Sequence, residues 1–269
     1  MNPRIVTSLV LAAAAFGQMQ DNQTKQMTCD NGSDGDRARY CEIREQTLAA
    51  MGVLNVDAGQ NGGATIKGWS RNEVLVRARV QSWGISDSDA RGMAGQVYID
   101  TSGAHVQARG PESVNNAGWS VSFEIFVPQA TNLTVKTVNG GITISDIRGN
   151  LQFEATNGGI HLMRLAGEVT GSTVNGGVNI EMAGATWDGN QVAVTTRNGG
   201  VNISLPANYS AHFQTETANG SLKSDFPVSL QGQLAQSEPR SHNYDFSLGA
   251  GGPLIHVMTT NGGVRLKRL

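Results

Sequence analysis

Thr137-Val138-Asn139-Gly140-Gly141-Ile142-Thr143-Ile144 is the stretch on which the fold turns, because its core returns along the chain with the same neighbours. The motif recurs as Asn157-Gly158-Gly159, Asn175-Gly176-Gly177, Asn198-Gly199-Gly200 and Asn261-Gly262-Gly263, with Asn219-Gly220-Ser221 as a variant. Successive asparagines stand 18, 18, 23, 21 and 42 residues apart. The last gap is twice the one before it, which suggests one degenerate unit there. Thr precedes Asn by two places at Thr137, Thr173, Thr196, Thr217 and Thr259, and Ala155 is the exception.

Beyond each turn, apolar residues alternate with polar ones: Ile142 and Ile144, Ile160 and Leu162, Val178 and Ile180, Val201 and Ile203, Val264 and Leu266. Upstream, Leu133 and Val135, Leu151 and Phe153, Val192 and Val194, and Ile255 and Val257 follow the same period of two. Each unit therefore reads as strand, Asn-Gly turn, strand, with one apolar face per strand. A single unit cannot bury that face, whereas stacked units can.

Asn-Gly suits turns whose two central residues need positive φ, so that turn chemistry is expected here. If equivalent turns stack, the carboxamides of Asn139, Asn157, Asn175, Asn198, Asn219 and Asn261 are placed to hydrogen-bond up the stack, and the threonines to form a second row. The chain is thus expected to be all-β. The regular 18-residue spacing favours a β-solenoid, or parallel β-helix-like array; an antiparallel meander or sandwich is the alternative.

The array is expected over 129–269, behind a diverged β section or cap over 47–128 that carries Gln60-Asn61-Gly62-Gly63 and the alternating run Val74-Leu75-Val76-Arg77-Ala78-Arg79-Val80. Residues 1–17 have the layout of a signal peptide, with Arg4 ahead of the apolar run Ile5 to Phe16 and small residues before Gln18. Residues 18–46 form a polar segment. It holds Cys29 and Cys41, the only two cysteines, which in an exported chain are expected to form a disulfide. The intervening Asp30-Asn31-Gly32-Ser33-Asp34-Gly35-Asp36 lacks the alternating acids and distal Glu of a calcium loop.

Composition excludes several functions. The 34 glycines lean away from helix, and a formal net charge of −2 provides no broad cationic surface for nucleic acid. Past the amino terminus no apolar run approaches the roughly 20 residues of a membrane-spanning helix, so no integral membrane segment is expected in the mature chain. His105, His161, His212, His242 and His256 have no metal-ligand spacing, and the acids of the array fall at different offsets from the repeat Asn. Neither catalytic residues nor a cofactor or metal is therefore expected. Among Trp69, Trp83, Trp119 and Trp187, only Trp187 lies in an insertion between repeats, which makes it the candidate contact residue.

Ile125-Phe126-Val127-Pro128 followed by the Thr-x-Asn-Gly-Gly units resembles the bacterial putative-adhesin family of β-strand-repeat domains of unknown function. Cys41-Glu42-Ile43-Arg44-Glu45, Asn61-Gly62-Gly63 and Gly68-Trp69-Ser70-Arg71-Asn72-Glu73-Val74 look like its exported subgroup, and Ile203-Ser204-Leu205-Pro206 also fits. The resemblance runs from Ala49 to Leu269. It implies an exported, periplasmic or secreted, non-enzymatic structural or binding module whose partner is a protein or a cell-envelope polysaccharide. A carbohydrate-active enzyme built on a β-helix is the alternative from another class, and an envelope-stress accessory protein a third.

Overall fold

The structure, a computed structural model, describes residues 27–29, 32–34, 37–114, 116–228 and 242–269. The expected signal peptide over 1–17 lies outside them. In chain order, β1 (Gly32–Asp34), β2 (Arg37–Ala49), β3 (Val53–Asp57), β4 (Ala64–Trp69) and β5 (Glu73–Gly84) precede the helix α1 (Asp87–Gln96). β6 (Tyr98–Asp100), β7 (His105–Arg109) and β8 (Gly118–Pro128) then lead into the repeats. These supply β9 (Asn132–Asn139), β10 (Ile142–Ser145), β11 (Arg148–Asn157), β12 (Ile160–Met163), β13 (Ala166–Asn175), β14 (Val178–Glu181), β15 (Gln191–Asn198) and β16 (Val201–Leu205). β17 (Ala211–Asn219), β18 (Leu222–Ser224), β19 (His242–Leu248), β20 (Leu254–Asn261) and β21 (Val264–Arg268) complete the chain.

The fold is all-β, with two large mixed sheets. One sheet has the order β1-β2-β5-β8-β4-β10-β12-β14-β16-β21-β18, and the other β19-β17-β20-β15-β13-β11-β9-β3-β7-β6. The two strands that flank each Asn-Gly turn lie in different sheets, so they do not pair as a hairpin. Each pairs in parallel with its equivalent in the next unit. Ile142 stands opposite Ile160, Ile160 opposite Val178, Val178 opposite Val201, and Val201 opposite Val264. In the other sheet the register runs Leu133, Leu151, Val169, Val192, Ile255.

Like residues therefore stack on like, and their side chains fill one continuous core. Each fully buried Val, Leu, Ile or Phe contributes about 1.5–3 kcal/mol of gross stabilisation. That burial alone does not fix the register. A slip of two residues would return every apolar side chain to the same face. The turn column supplies the missing constraint.

The turn is not the positive-φ hairpin turn that Asn-Gly suggested. No repeat Asn or Gly has positive φ; among the described non-glycine residues only Asp146 and Arg164 do, at the other corner of their units. The turn N–H groups instead bond to the neighbouring unit, as in Gly140 N to Asn157 O and Gly158 N to Asn175 O, both 3.0 Å. Glycine is needed because the backbones nearly touch. A Cβ on Gly158 would lie 1.9 Å from the Gly140 carbonyl oxygen, and one on Gly176 2.0 Å from that of Gly158. The second glycine is less confined: a Cβ on Gly159 would meet nothing closer than 3.6 Å. Ser221 replaces the second glycine just before β18, the last strand of its sheet, while Gly220 is retained, and a Cβ on it would lie 2.0 Å from the Gly262 carbonyl oxygen.

Spatial order departs from chain order at the carboxy-terminal end. β20 and β21 lie between the unit formed by β15 and β16 and the unit formed by β17 and β18. The doubled gap between Asn219 and Asn261 thus contains, among the described residues, no further unit. It contains β19, which runs antiparallel along the outer edge of β17 and stacks Phe246 on Phe213 at 5.4 Å.

At the opposite end β3 and β4 pair with β9 and β10 in the register of the repeats, and β8, β5 and β2 extend one sheet. α1 is a departure from the purely β section expected over 47–128. Its signal is a capping box: Ser86 accepts from Asp89 N, and the Asp89 carboxylate accepts from Ser86 N. Ala90 and Ala94 are its buried residues, and the Arg44 guanidinium donates to the Val97 and Ala94 carbonyls at its end.

The strand order can be read with paired cysteines and a thiol cross-linker of one-strand reach, about 5 Å. Thr195→Cys with Met258→Cys, and Glu216→Cys with Met258→Cys, should cross-link. Thr195→Cys with Glu216→Cys, two strands apart, should not. Efficient linkage of that last pair would show that the units stack in chain order.

Candidate functional site

The repeat asparagines form a file of carboxamides along the turn column. Nδ2 of Asn157 donates to Oδ1 of Asn139 at 2.8 Å, Asn175 to Asn157 at 2.7 Å and Asn198 to Asn175 at 2.7 Å. Asn261 donates to Asn198 at 2.7 Å and Asn219 to Asn261 at 2.8 Å, following the spatial order. Asn61 joins the file as the acceptor from Asn139 at 3.3 Å, a role the sequence signalled through Gln60-Asn61-Gly62-Gly63. Because every amide points the same way, each bond polarises the next.

The threonines make a second, buried row. Thr137, Thr173, Thr196, Thr217 and Thr259 donate to the carbonyls of Gly62, Gly158, Gly176, Gly262 and Gly199, at 2.6–3.0 Å. Each acceptor is the carbonyl that crowds the first glycine of the adjoining unit. Ala155 leaves the Gly140 carbonyl without this bond.

Cys29 and Cys41 form a disulfide that ties the segment before β1 to the buried Cys41 position of β2. Trp187 has to be corrected as a contact residue. It is 4% exposed, donates from Nε1 to the Gly167 carbonyl at 3.0 Å, and packs with Leu165, Val169 and Val192 around a void of about 10 Å³. An insertion that carries an indole across a sheet corner lowers its free energy by burying the ring.

The acids of the array are dispersed and ion-paired between units. Arg164 binds Asp146 at 2.7 Å and Glu181 at 3.2 Å, and the hydrogen bond to Asp146 is the main cause of its raised pKa. Asp188 pairs with Arg148, and Glu154 with Lys136 at 3.5 Å. Glu124, nearly buried, is held by Lys67 at 3.1 Å and Arg77 at 3.4 Å. Among the described residues no three His, Cys, Asp or Glu side chains converge to hold a metal ion.

One Ser-His-Asp grouping exists that the sequence did not disclose. His212 lies 3.3 Å from Ser247 Oγ and 3.2 Å from Asp245 Oδ1 across the antiparallel β17–β19 pair. With His212 35% and Asp245 57% exposed, these are cross-strand contacts on an outer sheet face.

A concave surface, half open to solvent, lies beside the first residue of the asparagine file. A cavity of about 510 Å³ is bounded by Gln60, Asn61, Pro111, Glu112, Ser113 and Trp119. The Trp119 Nε1 donates to the Pro111 carbonyl at 2.7 Å, and Gly110 lies against its ring.

The sequence profile of the Toastrack DUF4097 family matches residues 86–267, more than half of the chain. This chain belongs to the Toastrack DUF4097 family. No curated protein sequence matches it. Among solved structures, a putative cell adhesion protein from Clostridium sporogenes is similar, at 14% identity and a TM-score of 0.42, over 86% of this chain and all of that one. A putative adhesin from Bacteroides fragilis is similar at 13% identity and a TM-score of 0.42, over 85% of this chain and 97% of that one. A putative lipid binding protein from Parabacteroides distasonis is similar at 7% identity and a TM-score of 0.25, over 84% and 96%. The match to the Toastrack profile starts at Ser86, so β3, β4 and Asn61 lie ahead of it although they continue the same stack.

The gap in the threonine row is a testable feature. Ala155→Thr should donate to the Gly140 carbonyl and stabilise the Toastrack chain by about 0.5–1.5 kcal/mol, measured by chemical denaturation. An unchanged or lower stability would mean that the threonine row does not hold the glycine carbonyls.

Proposed function

We propose that this Toastrack chain is an exported, non-enzymatic β-solenoid module that contacts a cell-envelope polymer or an envelope protein through its sheet faces. The carrying observation is the in-register parallel stacking, which presents outward side chains in straight rows, such as Thr134, Gln152, Thr170 and Ala193. Their repeat is the strand spacing, about 4.8 Å. Short polar side chains on a flat sheet suit many weak contacts to an extended partner, and neutralised ion pairs between units leave little charge to repel it.

The non-enzymatic reading rests on the dispersed acids and on the use of the repeated Asn and Thr side chains within the stack itself. A glycan-cleaving enzyme would need two facing carboxylates or a metal cluster. Export is supported by the Cys29–Cys41 disulfide, since such bonds persist in oxidising compartments, and by the apolar amino terminus. The periplasm or the exterior is the proposed location. Among the described residues no helix is long and apolar enough to cross a membrane. We treat 47–128 and 129–269 as one body, because a single hydrophobic core runs through both.

Co-sedimentation of the chain from Gln18 onward with isolated bacterial envelopes tests this. The chain should sediment with the envelopes, and Thr134→Arg with Thr170→Arg should cut the bound fraction at least fivefold while melting stays within about 2 °C, the shift expected of a surface change. Absence of sedimentation, or binding indifferent to the double variant, would refute contact through this face.

A further inference from the structure

We propose that the cavity between the β3–β4 turn and residues 110–113 binds a neutral saccharide, which goes beyond the sheet-face contact by adding a second, separate site. At about 510 Å³ the cavity falls in the range of small-ligand sites, roughly 300–1,000 Å³. Its wall chemistry selects among ligand classes.

Asn61 ends the carboxamide file. It accepts from Asn139, and its own Nδ2 has no acceptor among the described residues. The file is polarised along its whole length, so the unspent donor at this end is a stronger donor than a lone amide. Beside it, Gln60 offers a second carboxamide whose backbone is pinned by the Asn139 N–H at 2.9 Å. Glu112 and Ser113 contribute acceptors, and Glu112 has no cationic partner among the described residues.

Trp119 provides the aromatic wall. Its Nε1–H is already bonded to the Pro111 carbonyl, and a Cβ on Gly110 would lie 2.9 Å from the ring, so the indole is fixed before any ligand arrives. A preset ring costs no rotamer entropy on binding. Aromatic surface against the C–H face of a sugar, with donors and acceptors around its rim, is the complement of a ring that is apolar on its faces and hydroxylated at its edge.

Other classes fit worse. Among the described residues no Lys or Arg lines the cavity, and Glu112 would repel an anion, which argues against phosphorylated, sulfated or carboxylated ligands. An acyl chain would leave the Asn61 and Gln60 amides without partners while displacing their water, a net loss. A cation would find one carboxylate and a single aromatic ring.

The test is titration of the chain from Gln18 onward, by saturation-transfer NMR and calorimetry, with N-acetylglucosamine oligomers, maltotetraose and galactotetraose, and with a uronic-acid tetramer as the anionic control. At least one neutral oligomer should bind, and the uronic-acid tetramer should not. Gln60→Ala with Glu112→Ala, both exposed positions, should weaken that binding at least tenfold with an unchanged melting curve. Trp119→Phe, which keeps a core-packing ring but loses the indole N–H, should weaken it as well. Failure of every neutral oligomer to bind, or equal affinity in the Gln60/Glu112 variant, would overturn the site. If the oligomers fail while that variant still sediments with envelopes like the wild type, the cavity proposal falls and contact through the sheet face stands. If the oligomers bind at the cavity and sedimentation depends on Gln60 and Glu112 alone, the cavity stands and the sheet-face reading falls.

Discussion

The architecture depends on one close approach of backbone to backbone. At the first glycine of each turn, a carbonyl oxygen of the adjoining unit lies about where a Cβ would be, 1.9–2.1 Å from its ideal position throughout the repeats. Any other residue would force the two units apart or break the ladder. The buried threonine two residues before the Asn binds that same carbonyl, and the Asn side chain binds its counterpart one unit away. Three recurring positions within the repeat are thus a single device. Its effect is to lock the register that hydrophobic burial leaves free to slip by two residues.

Much of this was legible in the sequence because the device is repeated. Period-two alternation gave the strands, and recurrence of Asn-Gly-Gly with its Thr gave the stacking. The turn conformation is not legible there, since Asn-Gly serves both positive φ and lack of bulk, and composition does not distinguish the two. Gly220 carries the clue: the first glycine is kept where the second gives way to Ser221, which points to crowding at the first position, not to a backbone dihedral. The inserted position of β20 and β21 was hidden for a related reason. β17 and β20 present the same pattern of apolar and polar residues, so either could sit next to β15, and only the three-dimensional pairing distinguishes them.

The candidate sites behaved differently. Trp187 stood out because it interrupts the repeat, yet an interruption can serve the core as well as a partner, and its burial decides between them. The cavity residues Gln60, Glu112 and Trp119 are far apart in sequence and have no spacing rule, so folding had to bring them together. Membership of the Toastrack family agrees with a scaffold whose repeated residues serve the stack. In the proposed function, recognition falls to the outward rows and to the end of the asparagine file.

The close approach is tested most directly by comparing Gly158→Ala with Gly159→Ala. Replacing glycine by alanine where space and φ permit stabilises a protein by about 0.4–1 kcal/mol through the unfolded state. The second position, with its nearest atom at 3.6 Å, should behave that way, and the first, with a carbonyl oxygen at 1.9 Å, should not. In thermal unfolding Gly158→Ala is expected to melt about 2–12 °C below the wild type, an overpacking loss of about 1–3 kcal/mol, and Gly159→Ala at or slightly above it. Equal melting temperatures for the two variants would contradict the account.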